Sequence, residues 1–111
     1  MIWRVRLVLI RHGQSGNNLL WEHSGSEVGR HPDTPLTARG HEQAARLAVA
    51  IRAGVLPWRI DVLYTSLMTR AVQTAAPLAE ALDLPLHTLD IFESGGLFEE
   101  DPDTGERTAY P

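Results

Sequence analysis

The sequence predicts an α/β domain, a three-layer α/β/α arrangement around a mainly parallel sheet. Three observations predict it. Apolar runs of strand length recur at residues 2–10, 60–64 and 86–89. Segments of helical periodicity lie between them, so the order reads β–loop–α–β–α–β, which favours parallel strands joined by crossover helices. The first run also changes character along its length. Trp3, Val5, Leu7 and Leu9 alternate with Arg4 and Arg6, then with Val8 and Ile10. A strand that starts half-exposed and ends buried on both faces belongs inside a sheet with helices on either side. Residues 2–10 are therefore expected to form a central strand.

Each later element has its own signal. Gln14 to Trp21 can form a short helix. Residues 22–35 are rich in glycine, proline, serine and histidine and read as a loop, long enough to suggest a functional one. Thr37 is placed as an N-cap, with Leu36 before it as a staple residue. Ala44, Leu47, Ala48 and Ile51 then fall at i, i+3, i+4 and i+7, the stripe of an amphipathic helix ending near Gly54. Ile60 to Tyr64 reads as the second strand, ended by Thr65-Ser66. A helix follows through Arg70 and Thr74, with a break or a fresh first turn expected at Pro77, because proline lacks the donor that a helix interior requires. Leu84-Pro85 stops it, and Leu86 to Leu89 reads as the third strand. From Asp90 onward the glycine pair Gly95-Gly96 and the acidic stretch 99–106 read as solvated loop.

The chain has 111 residues, one domain's worth, with 43% apolar and 22% charged residues. Its net charge of −4 argues against nucleic acid or an anionic membrane as partner. Any affinity for phosphate must therefore come from a local group of arginines. There is no cysteine, which excludes disulfides, thiolate catalysis and zinc–thiolate sites. Leu7 to Ile10 is too short for a signal-peptide core or a membrane span, so a cytoplasmic location is expected.

Chemistry concentrates where strands end. The first run stops in Arg11-His12-Gly13, and the second leads through Thr65-Ser66 to Arg70. Parallel strands of one sheet would carry both clusters to the same edge, where open α/β sheets bind ligands. Arginine offers a planar fork that matches phosphate oxygens. Histidine can attack phosphorus as a neutral imidazole. These residues point to phosphoryl transfer centred on His12, against the plainer alternatives of surface ion pairs and a packed histidine. Gly25 and Gly29 lack the Gly-Lys-Ser/Thr that would make a phosphate-cradling P-loop.

Arg11-His12-Gly13-Gln14-Ser15-Gly16-Asn17-Asn18 resembles the R-H-G-x-[ST]-x-x-N signature of the histidine phosphatase superfamily, phosphoglycerate-mutase-like branch. The likeness continues through Asp33-Thr34-Pro35-Leu36-Thr37, Gly40 and Gln43-Ala44. It runs on through Tyr64-Thr65-Ser66-Leu67, Arg70-Ala71 and Gln73-Thr74-Ala75, to Glu93 ahead of Gly95-Gly96. The resemblance implies a small phosphorylated substrate and no metal or other cofactor. It implies His12 as nucleophile, Arg11 and Arg70 as a clamp on the transferring phosphoryl group, Asn18 as a further contact to that group, and Glu93 as general acid and base. Loop residues, Ser24, Gly25 and Ser26 among them, are candidates for reading the rest of the substrate.

One part of the family pattern is missing. The family also uses a second histidine in a later His-Gly, whereas among His12, His23, His31, His41 and His87 only His12 precedes a glycine. Residues 1–111 are thus expected to be the amino-terminal portion of a histidine phosphatase domain. Three readings follow: a phosphohydrolase working through phosphohistidine, a mutase-type phosphoryl transfer, or a non-catalytic remnant that binds phosphate or protein. A chain ending at Pro111 would expose an apolar sheet edge and is expected to self-associate.

Overall fold

The computed structural model describes residues 3–26, 28–89 and 98–109. In chain order the elements are α1 (Gly16–Ser24), α2 (Ala38–Arg52), β1 (Leu63–Thr65), α3 (Thr69–Leu82), β2 (Leu86–Thr88), β3 (Phe98–Glu100) and β4 (Arg107–Ala109). β1 and β2 pair in parallel, Leu63 opposite Leu86 and Thr65 opposite Thr88, with α3 as the crossover between them. The Leu89 N–H donates to the Thr65 carbonyl at 2.9 Å and extends the pairing by a residue. This β–α–β unit is the parallel sheet of the expected α/β class.

The core lies between α2, α3 and the sheet. Ala48 and Ile51 from α2, Leu63 from β1 and Leu78 from α3 are buried together, with Leu47, Leu56, Ile60, Leu82 and Leu86 packed around them. The periodicity of α2 is the cause: Gly40, Ala44, Ala48 and Ile51 are its buried residues and lie on one face. Thr37 caps it as expected, accepting from the Gly40 N–H at 3.1 Å. On α3 the buried residues Arg70, Thr74 and Leu78 are spaced by four, so a single stripe runs from charged to apolar.

Four expectations need correction. Residues 3–10 form no strand. Trp3, Val5, Leu7 and Leu9 are 79–88% exposed, while Val8 and Ile10 are about half as exposed. The alternation is real, but a strand exists only through hydrogen bonds to a neighbour, and the described residues supply none to this segment. Arg6 lies over the Trp58 ring at 5.2 Å and ties the segment to the α2–β1 loop. Second, α3 runs unbroken through Pro77. Its buried stripe continues to Leu78, and that packing outweighs one lost backbone bond, a cost of roughly 3 kcal/mol. Asp83 then ends the helix in the left-handed conformation, φ 52°, which aspartate tolerates better than most residues.

Third, the acidic stretch at 99–106 forms much of an antiparallel hairpin, with Glu99 opposite Thr108 and Glu100 opposite Arg107. Its turn is built by Asp101, whose Oδ1 accepts from the Asp103 and Thr104 N–H groups at 2.8 and 3.3 Å. Gly105, at φ 72°, donates to the Asp101 carbonyl at 2.8 Å. Fourth, α1 starts two residues later than expected and continues to Ser24, taking the first residues of the presumed loop.

Leu78→Ala is expected to lower unfolding stability by about 2–5 kcal/mol, because the side chain is buried at the α2–α3–β1 junction. Arg46→Ala removes only the exposed Glu42–Arg46 pair of α2 and is expected to change stability by less than about 0.5 kcal/mol. Urea denaturation of both variants checks the contrast.

Candidate functional site

The site is organised by an irregular backbone segment rather than by a strand end. Residues 11–14 run across the start of α2 and beside the first turns of α3. Gly13 lies so close to α2 that a Cβ placed there would meet the Gly40 carbonyl oxygen at 2.6 Å. A Cβ on Gly40 would in turn collide with the Gln14 carbonyl. Both glycines are thus required by approach of backbone to backbone.

Hydrogen bonds lock this contact. The Thr37 N–H donates to the Gln14 carbonyl at 2.9 Å. The Gln14 N–H donates to Gln43 Oε1 at 2.9 Å, and the Thr37 hydroxyl donates to Gln14 Oε1 at 2.7 Å. On the other side, the Gly13 N–H donates to the Thr74 hydroxyl oxygen at 3.1 Å, and that hydroxyl donates to the Arg70 carbonyl at 2.7 Å. One threonine therefore joins the residue after His12 to the turn of α3 that carries Arg70.

His12 is half-buried, and its Nδ1 lies 2.6 Å from the Gly13 carbonyl oxygen. A carbonyl can only accept, so Nδ1 carries the proton and the neutral ring keeps its lone pair on Nε2. Arg70 is 5% exposed in the first turn of α3. Arg11, the residue before His12, is exposed.

Asn18 sits in the first turn of α1, three residues after the N-cap Ser15. Its Oδ1 accepts from the Ser15 N–H and the Ser15 hydroxyl, each at 3.0 Å, while Ser15 Oγ accepts from the Asn18 N–H at 3.3 Å. This reciprocal capping box commits the carbonyl half of the amide to the fold. The amide nitrogen is the half that can serve a ligand.

Of the expected site residues, His12 and Arg70 are linked through Gly13 and Thr74, and Asn18 is coupled to the same segment through Ser15. Ser26 and Asn18 line a cavity of about 200 Å³ together with Asn17, Leu20, Trp21 and Arg30. Ser24 closes α1, its hydroxyl donating to the Leu20 carbonyl at 2.7 Å, and Gly25 is the left-handed C-cap at φ 62°. Neither belongs to that cavity. Glu93 lies outside the described residues. Among the described residues no group of three or more acidic or histidine side chains is placed to hold a metal ion, and no helix is long and apolar enough to cross a membrane.

Sequence reasoning missed the braces. Asp33 caps α3 from a distance, accepting from the Thr69 N–H at 2.9 Å and the Thr69 hydroxyl at 2.7 Å. Met68, the N-cap residue, offers no side-chain bond of its own. Gln73 Oε1 accepts from the Leu36 N–H at 2.7 Å, and the Gly16 N–H donates to the Pro35 carbonyl at 3.0 Å. Residues 33–37 thus strap α1 to α2 and α3. Arg30, in the cavity wall, was also not singled out. An arginine inside a loop of small residues is the one signal that pointed to it.

Residues 7–107 match the model of the histidine phosphatase superfamily, branch 1. The chain belongs to this superfamily. Among relatives, 70 residues are 41% identical to a 2,3-bisphosphoglycerate-dependent phosphoglycerate mutase from Gloeothece citriformis, covering 63% of this chain and 27% of the relative. Phosphoglycerate mutase 1 from Saccharomyces cerevisiae is 40% identical over 79 residues, 70% of this chain and 29% of the relative. A solved structure of phosphoserine phosphatase from Entamoeba histolytica, in complex with 3-phosphoglyceric acid, superposes with a TM-score of 0.53. It is 32% identical, covering 71% of this chain and 34% of that one. The chain therefore spans about a third or less of the length of these histidine phosphatase relatives, which include both mutases and a phosphatase.

Gly40→Ala is expected to cost about 1–3 kcal/mol, because the new methyl group meets rigid backbone rather than a movable side chain. Asp33→Ala is expected to cost about 1–2 kcal/mol through loss of the α3 cap. Thermal unfolding monitored by circular dichroism reads both. Gly25→Ala, in open space, is expected to show only the modest strain of a left-handed alanine.

Proposed function

We propose that this chain carries the nucleophile half of a phosphohydrolase acting on a small phosphorylated metabolite through a phosphohistidine intermediate. One observation supports it above the others. The Nδ1 of His12 is committed to the Gly13 carbonyl, which leaves Nε2 as the nucleophilic atom on a segment braced against the helix that bears Arg70. In this reading Nε2 attacks phosphorus and the bond from phosphorus to the leaving alkoxide breaks. Glu93 donates the proton that the alkoxide takes. Water, deprotonated by the same carboxylate, then attacks the phosphohistidine, releasing phosphate and restoring the imidazole. Arg11, Arg70 and the Asn18 amide nitrogen stabilise the charge on the non-bridging oxygens. Such positioning and charge stabilisation account for most of the catalysis of phosphoryl transfer. No metal or cofactor is required, and a cytoplasmic location fits a substrate of this kind.

The mutase relatives favour a second reading, in which the phosphoryl group passes to a phosphoglycerate instead of to water. The two share the first step and differ in the acceptor.

With an aryl phosphate as substrate, His12→Ala is expected to reduce hydrolysis to background and to abolish acid-labile phosphate on the protein. Arg70→Ala is expected to lower kcat by about 10²–10³-fold. Equal rates for the chain and its His12→Ala variant would end the enzymatic reading. Phosphate release measured against transfer to phosphoglycerate separates hydrolase from mutase.

A further inference from the structure

Gly13 serves two requirements that oppose each other. The close approach of Gly40 excludes any side chain there, yet the Gly13 carbonyl oxygen must stay aimed at His12 Nδ1, 2.6 Å away. A residue without a Cβ does little to hold such a direction, because its backbone torsions are the freest of any residue. The direction has to be set from outside.

Two side chains set it, one from each helix. The Gly13 N–H donates to the Thr74 hydroxyl of α3 at 3.1 Å, and the Gln14 N–H donates to Gln43 Oε1 of α2 at 2.9 Å. These donors belong to the peptide groups before and after Gly13, so the two bonds together restrain both of its torsions. The second group bears directly on the imidazole. It is planar and trans, so its N–H and its carbonyl point in opposite directions. Gln43 holds the N–H at α2, and the Gly13 carbonyl is thereby kept towards His12. Polarisation acts in the same sense, since a peptide that donates through its N–H becomes a stronger acceptor at its oxygen.

The direction of that carbonyl decides where a proton sits. A neutral imidazole carries its proton on one nitrogen or the other, and an acceptor beside Nδ1 selects Nδ1–H. With the peptide rotated away, the proton is shared with Nε2, and the lone pair that attacks phosphorus is lost for that share of the molecules. We propose that Gln43 is a positioning residue that holds His12 in its nucleophilic tautomer, with Thr74 as its counterpart on the other side of Gly13. Both act through the backbone of residues 13–14. The assignment rests on the proposed function for the use made of Nε2, whereas the tautomer itself is readable without turnover.

The test is nitrogen-15 NMR of the full chain at a pH where the His12 ring is neutral, its signals assigned by their loss in His12→Gln. The unmodified chain is expected to show Nδ1 protonated and Nε2 bare. Gln43→Ala and Thr74→Val are expected to give a mixture of both tautomers, while Gln43→Glu, which keeps an acceptor oxygen, and Thr74→Ser, which keeps the hydroxyl, retain the single one. With an aryl phosphate, kcat is expected to fall about fivefold to tenfold in Gln43→Ala at unchanged KM, the worth of one hydrogen bond, and to recover in Gln43→Glu. A mixture already present in the unmodified chain would overturn the inference, as would a single tautomer in Gln43→Ala, or a mixture in Gln43→Glu as complete as in Gln43→Ala. A single tautomer in Thr74→Val strikes Thr74 from it. Thr74 is buried whereas Gln43 is exposed, so if Thr74→Val does not fold, Gln43→Ala decides. Tautomers that shift as expected in a chain without turnover end the hydrolase reading alone, and an active chain whose tautomer ignores Gln43 ends the role of Gln43 alone.

Discussion

The contact of bare backbone between Gly13-Gln14 and Gly40 is the constraint on which the rest of the structure depends. Because neither glycine carries a side chain, the backbone after His12 can lie against the first turn of α2. Only at that separation can Gln14 exchange bonds with Thr37 and Gln43, and only then does Gly13 reach Thr74 on α3. A side chain at either position would lift this segment from both helices at once. The imidazole would then lose the fixed relation to Arg70 that makes the pair a candidate phosphate site.

Around that contact, the start of each helix is capped by a side chain. α1 is closed by its own Ser15–Asn18 box, α2 by Thr37, and α3 by Asp33 from across the site. Amide groups are used economically. Asn18 gives its oxygen to the cap, Asn17 gives both ends to His31, and Gln73 gives its oxygen to Leu36. These amide bonds to backbone fix geometry more than they add net stability.

What could be read from the sequence was what depends on neighbours in sequence. The stripe and cap of α2, the crossover helix after β1 and the short parallel strand at Leu86 follow from local periodicity and local stop signals. Arg11, His12, Asn18 and Arg70 stand out as candidates because their residue types imply phosphate chemistry in a recurring motif. What could not be read depends on partners far along the chain. An apolar run such as 3–10 has the pattern of a strand, yet pairing decides whether it is one. Acidic residues at 99–106 suggested solvated loop, because composition does not reveal that Asp101 and Gly105 can close a hairpin turn. Asp33, Gln73 and Thr74 carry no local mark of the bonds they make across 36, 37 and 61 residues.

Those separations have a kinetic meaning. The bond from Gly13 to Thr74 closes a loop that contains α1, α2 and β1. Loop-closure entropy grows slowly, by only about 0.6 kcal/mol for each doubling of length, so the span is thermodynamically cheap. It still delays the contact, because long-range pairings form after the local ones that bring their ends together. The helices and the β1–β2 pair can organise from nearby residues, whereas the candidate-site segment at residues 11–14 has nothing to rest on until α2 and α3 have packed. His12 therefore waits for two helices to meet before its own place is fixed.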